Sequence, residues 1–359
     1  MFERAHAEKI GDLESLRYRK ILEELGVKVH SGGPRDVLRN IDIDTVFFEF
    51  YFIASPWIDE VRVLRPKARI IVDSVDVHFR RLTAKALLTN DPVDAECAVQ
   101  VKAEEISVYR RADMVIAVTD DDASLIAAEV SSTRIATIPN SHFIHEPLAF
   151  TAEPILSFVG GFAHEPNADA VLYFCKEILH RIKSEVPSVI FNIIGNSPPA
   201  EVQALSSNSV RILGYVPDIS PYMRSTLISV APLRYGAGMK GKVGEAMSLG
   251  LPVVTTSVGA EGFGLTPGRN VLIGDTPQEF AEHVVRLIRD VELREQIGLG
   301  GHRLIQEKYS DRVVMQQVVD LFQSLAIQAV KSLPRLRHLK QRAHMALQDH
   351  MLWRFNGRA

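Results

Sequence analysis

APLRYGAGMKGKVGEAMSLGLPVVTT, residues 231–256, is the most informative stretch of this chain. It begins in an apolar run, LISVAPL, and breaks at Gly236 and Gly238. A helical pattern then runs from about Gly241 to Leu249, and a second apolar run, PVVTT, follows. Strand, glycine turn, helix and strand in that order make a βαβ unit of a parallel sheet. Free amides at a helix amino terminus bind anions, and glycine lets a phosphate approach the backbone closely. Arg234, Lys240 and Lys242 add three cations around the turn, and Glu245 lies one turn into the helix. A carboxylate there can accept hydrogen bonds from ribose hydroxyls. The combination reads as a site for a diphosphate plus a sugar diol. A tight turn carrying solvated charges is the plain alternative.

The same rhythm extends outward in both directions. Downstream of Ile155 come LSFVGG, a helix over Ala168–Ser184, the strands VIFNIIG and RILG, and helices over Thr276–Leu299 and Asp311–Leu325. Upstream, the spacing predicts a helix from Arg4 to Leu25, stopped by Gly26. Strands are expected at Val27–His30, Thr45–Phe50, Ala68–Val72, Met114–Val118 and Thr133–Ile138, with helices near Ser55–Leu64, Asp94–Arg111 and Asp121–Val130. Pro139, Pro147 and Pro154 punctuate a connection between the two series. The expected division is residues 1–145, residues 146–328 and a tail over 329–359. Two doubly wound α/β halves place a ligand cleft at the carboxyl ends of their strands.

Composition narrows the function classes. The chain has 359 residues, 46% hydrophobic and 24% charged, an ordinary globular balance with room for two cores. A net charge of −3 offers no global basic field, so no nucleic-acid partner is expected. Cys97 and Cys175 are the only cysteines, which excludes a disulfide framework and a cysteine zinc site. No apolar run approaches the roughly 18 residues of a membrane span. The charged start, MFERAHAEKI, lacks a signal-peptide core, and a cytoplasmic location is expected. The tail differs from the body. Residues 331–359 carry seven Lys/Arg against Asp349 alone, +6 against −9 for the remainder. Leu336, Leu339, Ala343, Leu347 and Met351 step by three or four, and Trp353 and Phe355 follow. This reads as a basic amphipathic helix able to lie on an anionic membrane, or to pack back on the protein.

With these residues in view, the chain resembles the family-4 (group 1) glycosyltransferases of GT-B fold, in their bacterial polysaccharide branch. The similarity runs through Pro232, Leu233, Arg234, Gly236, Gly238, Lys240, Lys242, Glu245, Ala246, Met247, Gly250, Pro252, Gly259, Glu261 and Gly262. It continues in VDSVDVHFRR (72–81), ADMVIAVTDDD (112–122), IPNS (138–141), FVGGFAHEPNADAV (158–171), IIGNSP (193–198) and ILGYVPDI (212–219). The resemblance implies two Rossmann-like domains facing a cleft. It also implies that the first domain lacks one or two strand–helix units ahead of Gly26. The implied activity moves a sugar from a nucleotide-diphosphosugar to a sugar or lipid-linked acceptor, with retention and without a metal or other cofactor. Cell-envelope polysaccharide synthesis is the implied setting. A nucleotide-sugar-binding subunit without transfer activity is the alternative.

Carried over residue by residue, the resemblance places the donor on Gly161, Arg234, Gly236, Gly238, Met239, Lys240, Lys242 and Glu245, with Tyr215 and Val216 near the base. Asp76 and His78 would face the transferred sugar; a loop-capping aspartate and a surface histidine are the plain reading. His164, in the loop after the first donor-side strand, is either loop structure or a sugar contact. Two departures stand out. Ala237 occupies the family's first motif glutamate, and GGFAH (160–164) lacks the arginine and lysine often found there. Asp120–Asp122 resembles a metal-binding DxD but opens a helix, where aspartates cap amides. No metal site is expected.

Overall fold

The computed structural model describes residues 12–30, 33–149, 151, 153–325 and 345. Their strands form two parallel sheets. The first holds β1 (Thr45–Glu49), β2 (Arg69–Asp73), β3 (Met114–Ala117) and β4 (Arg134–Thr137), in the order β1-β2-β3-β4. The second holds β5 (Ile155–Val159), β6 (Ile190–Ile194), β7 (Val210–Gly214), β8 (Ile228–Ala231), β9 (Val253–Thr255) and β10 (Leu272–Ile273). Its order is β10-β9-β8-β5-β6-β7. The chain therefore builds outward from β5 to β7, then returns to the other side of β5 as β8. That reversal is the switch point of a doubly wound sheet, where ligands bind beyond the carboxyl ends of the strands. The loops leaving β5 and β8 begin at Gly160 and Pro232.

Burial explains why these runs are strands. ISVA in β8 is buried at every position, and ILSFV and IFNII at all but one. A central parallel strand is covered on both faces and so reads as a continuous apolar run. Phe158, Phe174, Phe191 and Phe280 fill the core of this sheet, with Phe174 and Phe191 centroids 4.4 Å apart.

Contacts divide the described residues into two units, 12–72 with 111–114, and 73–110 with 115–325. The first unit is organised around a buried Arg62. Its guanidinium pairs with Asp113 at 2.7 Å and donates to the carbonyls of Ala68 and Arg111. Asp113 also accepts from the Ile70 amide, so both buried charges are satisfied. The second unit contains all the candidate site residues.

Three expectations need correction. Val27–His30 is not a strand; Val27 is half exposed, and an alternating pair of valines buries too little to hold one. His78–Thr89 is a helix in a stretch with no assigned element. The helix expected over Ala168–Ser184 starts at Glu165 and runs to Glu185, with a π turn at Phe174–Ile178. The basic tail lies outside the described residues except for Met345, which is buried. Among the described residues, no helix is long and apolar enough to cross a membrane.

Candidate functional site

The glycine turn after β8 is shaped by what its glycines leave room for. A Cβ on Gly236 would lie 3.1 Å from Cε of Lys240, so that glycine admits the lysine stem. Gly238 adopts φ +65°, and a Cβ there would meet the Val75 carbonyl at 3.1 Å and Cβ of Asp76 at 3.3 Å. Helix α1 (Gly241–Ser248) starts next, with no side-chain cap on its first amides. Met239, Val243, Ala246 and Met247 anchor turn and helix in a buried cluster. The Met239 side chain is thus core, and only its backbone remains for a ligand; its carbonyl accepts from Nδ2 of Asn140 at 3.4 Å.

Lys240 is buried at this turn and Lys242 half-buried. Nζ of Lys240 donates to the Gly238 carbonyl at 2.7 Å and pairs with Glu261 at 3.3 Å. Burial lowers its pKa. Nζ of Lys242 donates to Oδ1 of Asn167 at 2.8 Å and lies 5.2 Å from the Phe158 ring centroid. Burial, then the neighbouring Lys240, brings its pKa down to about 8. Two dehydrated ammonium groups side by side are the condition an anion relieves. Lys242, Gly241 and Glu245 line a pocket of about 620 Å³, together with Gly160, Val159, Asn140, Ser141 and His142. That volume lies within the usual range for a small-molecule site, roughly 300–1,000 Å³. Glu245 is held below its ordinary pKa chiefly by His142, whose Nδ1 is 3.9 Å away. No sequence pattern signalled His142. Its ring occupies the place of a side chain on Gly244, where a Cβ would lie 2.1 Å from Nε2.

A second group of residues comes from the loop after β2. Ser74, Val75 and Asp76 form a three-residue turn in which the Asp76 amide donates to the Ser74 carbonyl at 2.6 Å. Val75 at its centre has φ +56°. A β-branched residue in this region carries strain of order 1–3 kcal/mol, and such strain collects at functional sites. The turn sets Asp76 against Gly238. Asp76 Oδ1 lies 3.0 Å from Nδ1 of His78, and Oδ2 lies 2.8 Å from Nη1 of Arg81. Burial lowers the His78 pKa, which favours the neutral ring. With its proton on Nδ1, directed to the Asp76 backbone carbonyl at 3.3 Å and beside the carboxylate, the ring's Nε2 is an acceptor. Asp76 and His78 are thus a connected pair, not a cap and a surface histidine.

The helix that starts at His78, α2 (His78–Thr89), has no local side-chain cap. Its cap comes from α3 (Pro92–Arg111), where the fully buried Glu105 accepts from the His78 and Phe79 amides at 3.2 and 3.0 Å. Glu105 also accepts from the Tyr109 hydroxyl at 2.6 Å, and burial pushes its carboxyl up to about 7.

Arg80, the third residue of α2, pairs with Asp122 at 2.8 Å and with Glu261 at 3.2 Å. All three of Asp120–Asp122 lie in the first turn of their helix, as expected, but the cap is Thr119 and Asp122 has another role. Oγ1 of Thr119 takes the Asp122 amide, and the Asp122 carboxylate is buried against Arg80. Among the described residues, no group of three or more His, Cys, Asp or Glu is arranged to hold a metal ion.

Several nominated residues are not brought into the pocket. Arg234 makes two hydrogen bonds to Asp169, the Nε one at 2.9 Å, and lies 5.0 Å from the Tyr173 ring centroid. Its charge is spent on the helix after β5. Tyr215 is 58% exposed and Val216 half-buried beyond β7, neither in the pocket lining. Gly161 packs against Asn196, whose Oδ1 a Cβ would approach to 2.7 Å. Ala237 is buried, with no carboxylate at its position.

Residues 153–290 match the family model described as glycosyl transferases group 1. These residues form a group 1 glycosyltransferase domain. A protein from the cps region of Klebsiella pneumoniae is 24% identical over 170 residues, 45% of this chain and 44% of that protein. The match thus spans less than half of that relative. S. aureus TarM superposes with a TM-score of 0.65 at 18% identity, covering 77% of this chain and 54% of TarM. Anabaena HepE, solved in complex with UDP-glucose, gives 0.61 at 14% identity, covering 86% and 89%. At these identities the likeness shows the fold, which is GT-B.

Proposed function

We propose that this protein transfers a sugar from a nucleoside-diphosphosugar to a sugar or lipid-linked acceptor, with retention and without a metal. The observation that carries this reading is the placement of Lys242 and Glu245 on one pocket at the start of α1. A cation for the diphosphate and a carboxylate for the ribose lie one helical turn apart. Asp76 and His78, packed at Gly238, are the groups for the transferred sugar. The UDP-glucose complex of HepE supports a nucleotide-sugar donor, and the cps-region relative supports a role in polysaccharide synthesis. Charge neutralisation by the lysines would stabilise the departing nucleoside diphosphate.

The test is a thermal-shift panel of nucleoside diphosphates followed by an assay of donor hydrolysis with and without EDTA. One diphosphate should raise the melting temperature, and slow release of free sugar should survive chelation. Loss of turnover in EDTA, restored by Mg²⁺ or Mn²⁺, would show that a metal takes part. Ala237 favours a second reading, a subunit that binds the nucleotide sugar without transferring it. Binding with neither hydrolysis nor transfer would establish that one.

The proposed setting is the cytoplasmic face of a membrane, on the charge of residues 331–359. Each basic residue near an anionic surface contributes about 1 kcal/mol. Full-length protein should co-sediment with vesicles containing phosphatidylserine and be released by high salt. Protein truncated after Ser332 should remain in the supernatant. Equal sedimentation of the two forms would remove the membrane role.

A further inference from the structure

The diphosphate reading leaves a gap in charge. Arg234, the expected third cation, is held by Asp169 and Tyr173. The loop leaving β5 at the switch point, GGFAH, carries no cation of its own. We propose that Arg81 fills this place, and that its guanidinium contacts the terminal phosphate of the bound nucleoside diphosphate. The inference rests on the donor-site reading above.

The geometry around His164 carries it. Nη1 of Arg81 lies 3.3 Å from Nδ1 of His164, the last residue of that loop, and 2.8 Å from Asp76. Asp76 in turn packs at Gly238 in the phosphate-binding turn. Arg81 therefore reaches from α2 to the loop after β5 directly and to the turn after β8 through Asp76. Both contacts use Nη1, which leaves the Nε and Nη2 edge for a two-point contact with phosphate. The Arg81 side chain is 19% exposed, enough for a ligand to reach it and little enough to limit screening.

The surroundings supply the second line of support. His164 is driven down to about 4, first by burial and then by Arg81, Lys242, Lys240 and His78. One imidazole thus sits where the cations of α2 and of the start of α1 converge. The acids close by are already engaged: Asp76 with His78 and Arg81, and Glu261 with Arg80 and Lys240. The hydrogen-bond partner of Lys242 is the neutral amide of Asn167. An anion bound between Arg81, Lys240 and Lys242 would complete the set. His164 stays neutral, accepting from Arg81 and orienting it.

Calorimetry on the full chain with UDP and with UMP tests this, because only UDP carries the second phosphate. Arg81→Gln should weaken UDP by about tenfold or more while leaving UMP within about twofold. Arg81→Lys, which keeps the charge but not the fork, should fall between. Arg234→Gln should leave both ligands within about twofold. Equal weakening of UDP and UMP by Arg81→Gln would mark a structural role and overturn the proposal. So would no change in either, or a UDP-selective loss in Arg234→Gln. Should Arg81→Gln fail to fold, the UDP-to-UMP ratio of Arg81→Lys decides on the same terms. If the unmodified protein binds none of UDP, GDP, ADP and dTDP, the donor-site reading itself falls. Binding of any of them leaves that reading standing and isolates the Arg81 question, with that base's diphosphate and monophosphate as the pair compared.

Discussion

Asp76→Asn should reduce turnover by about 10²–10³-fold, the range for losing a positioned proton-transfer or hydrogen-bonding group. UDP affinity should stay the same or tighten slightly, since a negative charge leaves the neighbourhood of the diphosphate. The reason lies in His78. Its Nδ1 is 3.0 Å from the Asp76 carboxylate and 3.3 Å from the Asp76 backbone carbonyl, and burial favours the neutral ring, so both acceptors of one residue hold the proton on Nδ1. Asparagine can present an amide in place of the carboxylate, leaving only the backbone carbonyl to favour the proton on Nδ1, so the other tautomer gains population. Nε2 would become a donor where the sugar hydroxyl needs an acceptor. His78→Gln should give a loss of similar size, and the double variant should lose little more than either single one, as expected for residues acting as a unit. Turnover of donor with acceptor, read beside UDP calorimetry, separates the outcomes. Unchanged kcat in Asp76→Asn would leave this pair a structural role only.

The sequence made the parallel strands legible because each is a short apolar run buried on both faces. Thr45–Glu49, Arg69–Asp73 and Met114–Ala117 all fall within a residue or so of where their valines and isoleucines put them. The glycine turn was legible for a related reason: its chemistry is local, with glycines, lysines and a glutamate within ten residues. What could not be read is non-local. Helix α2 went unassigned because no residue near His78 caps it; the cap is Glu105, 27 positions away. Arg234 looked available because its partner, Asp169, is 65 positions upstream. Arg81 drew no assignment, since its neighbours His164 and Asp76 meet only in the fold. His142 fits the same account, for its place depends on an absent side chain at Gly244. In each case a periodic pattern states what a residue offers, and a distant residue decides whether that offer is taken up.

Lys242 is where burial and charge act most directly on ligand affinity. Its pKa of about 8 means that the free protein loses this charge as pH rises from 7 to 9. A diphosphate stabilises the charged form, so the bound lysine titrates at higher pH than the free one. Affinity for UDP should therefore be nearly flat between about pH 6.5 and 7 and fall above about 8. The phosphate itself, with a last pKa near roughly 6, is already ionised there and adds no slope of its own. The same linkage requires proton uptake on binding. Calorimetry at pH 9 in two buffers of different ionisation enthalpy should show a fraction of a proton taken up. Little uptake should remain at pH 6.5. Lys242→Met keeps an unbranched apolar stem of similar length and removes the charge. It should weaken UDP at pH 7 by about 1–3 kcal/mol, roughly 5- to 150-fold, the usual scale of a charge-assisted contact. The variant should also flatten the alkaline limb and abolish most of the proton uptake at pH 9. A variant that binds UDP as tightly as the unmodified protein would move the diphosphate away from α1. A weakened variant that kept the full alkaline limb would instead assign that titration to Lys240, whose pKa burial also lowers.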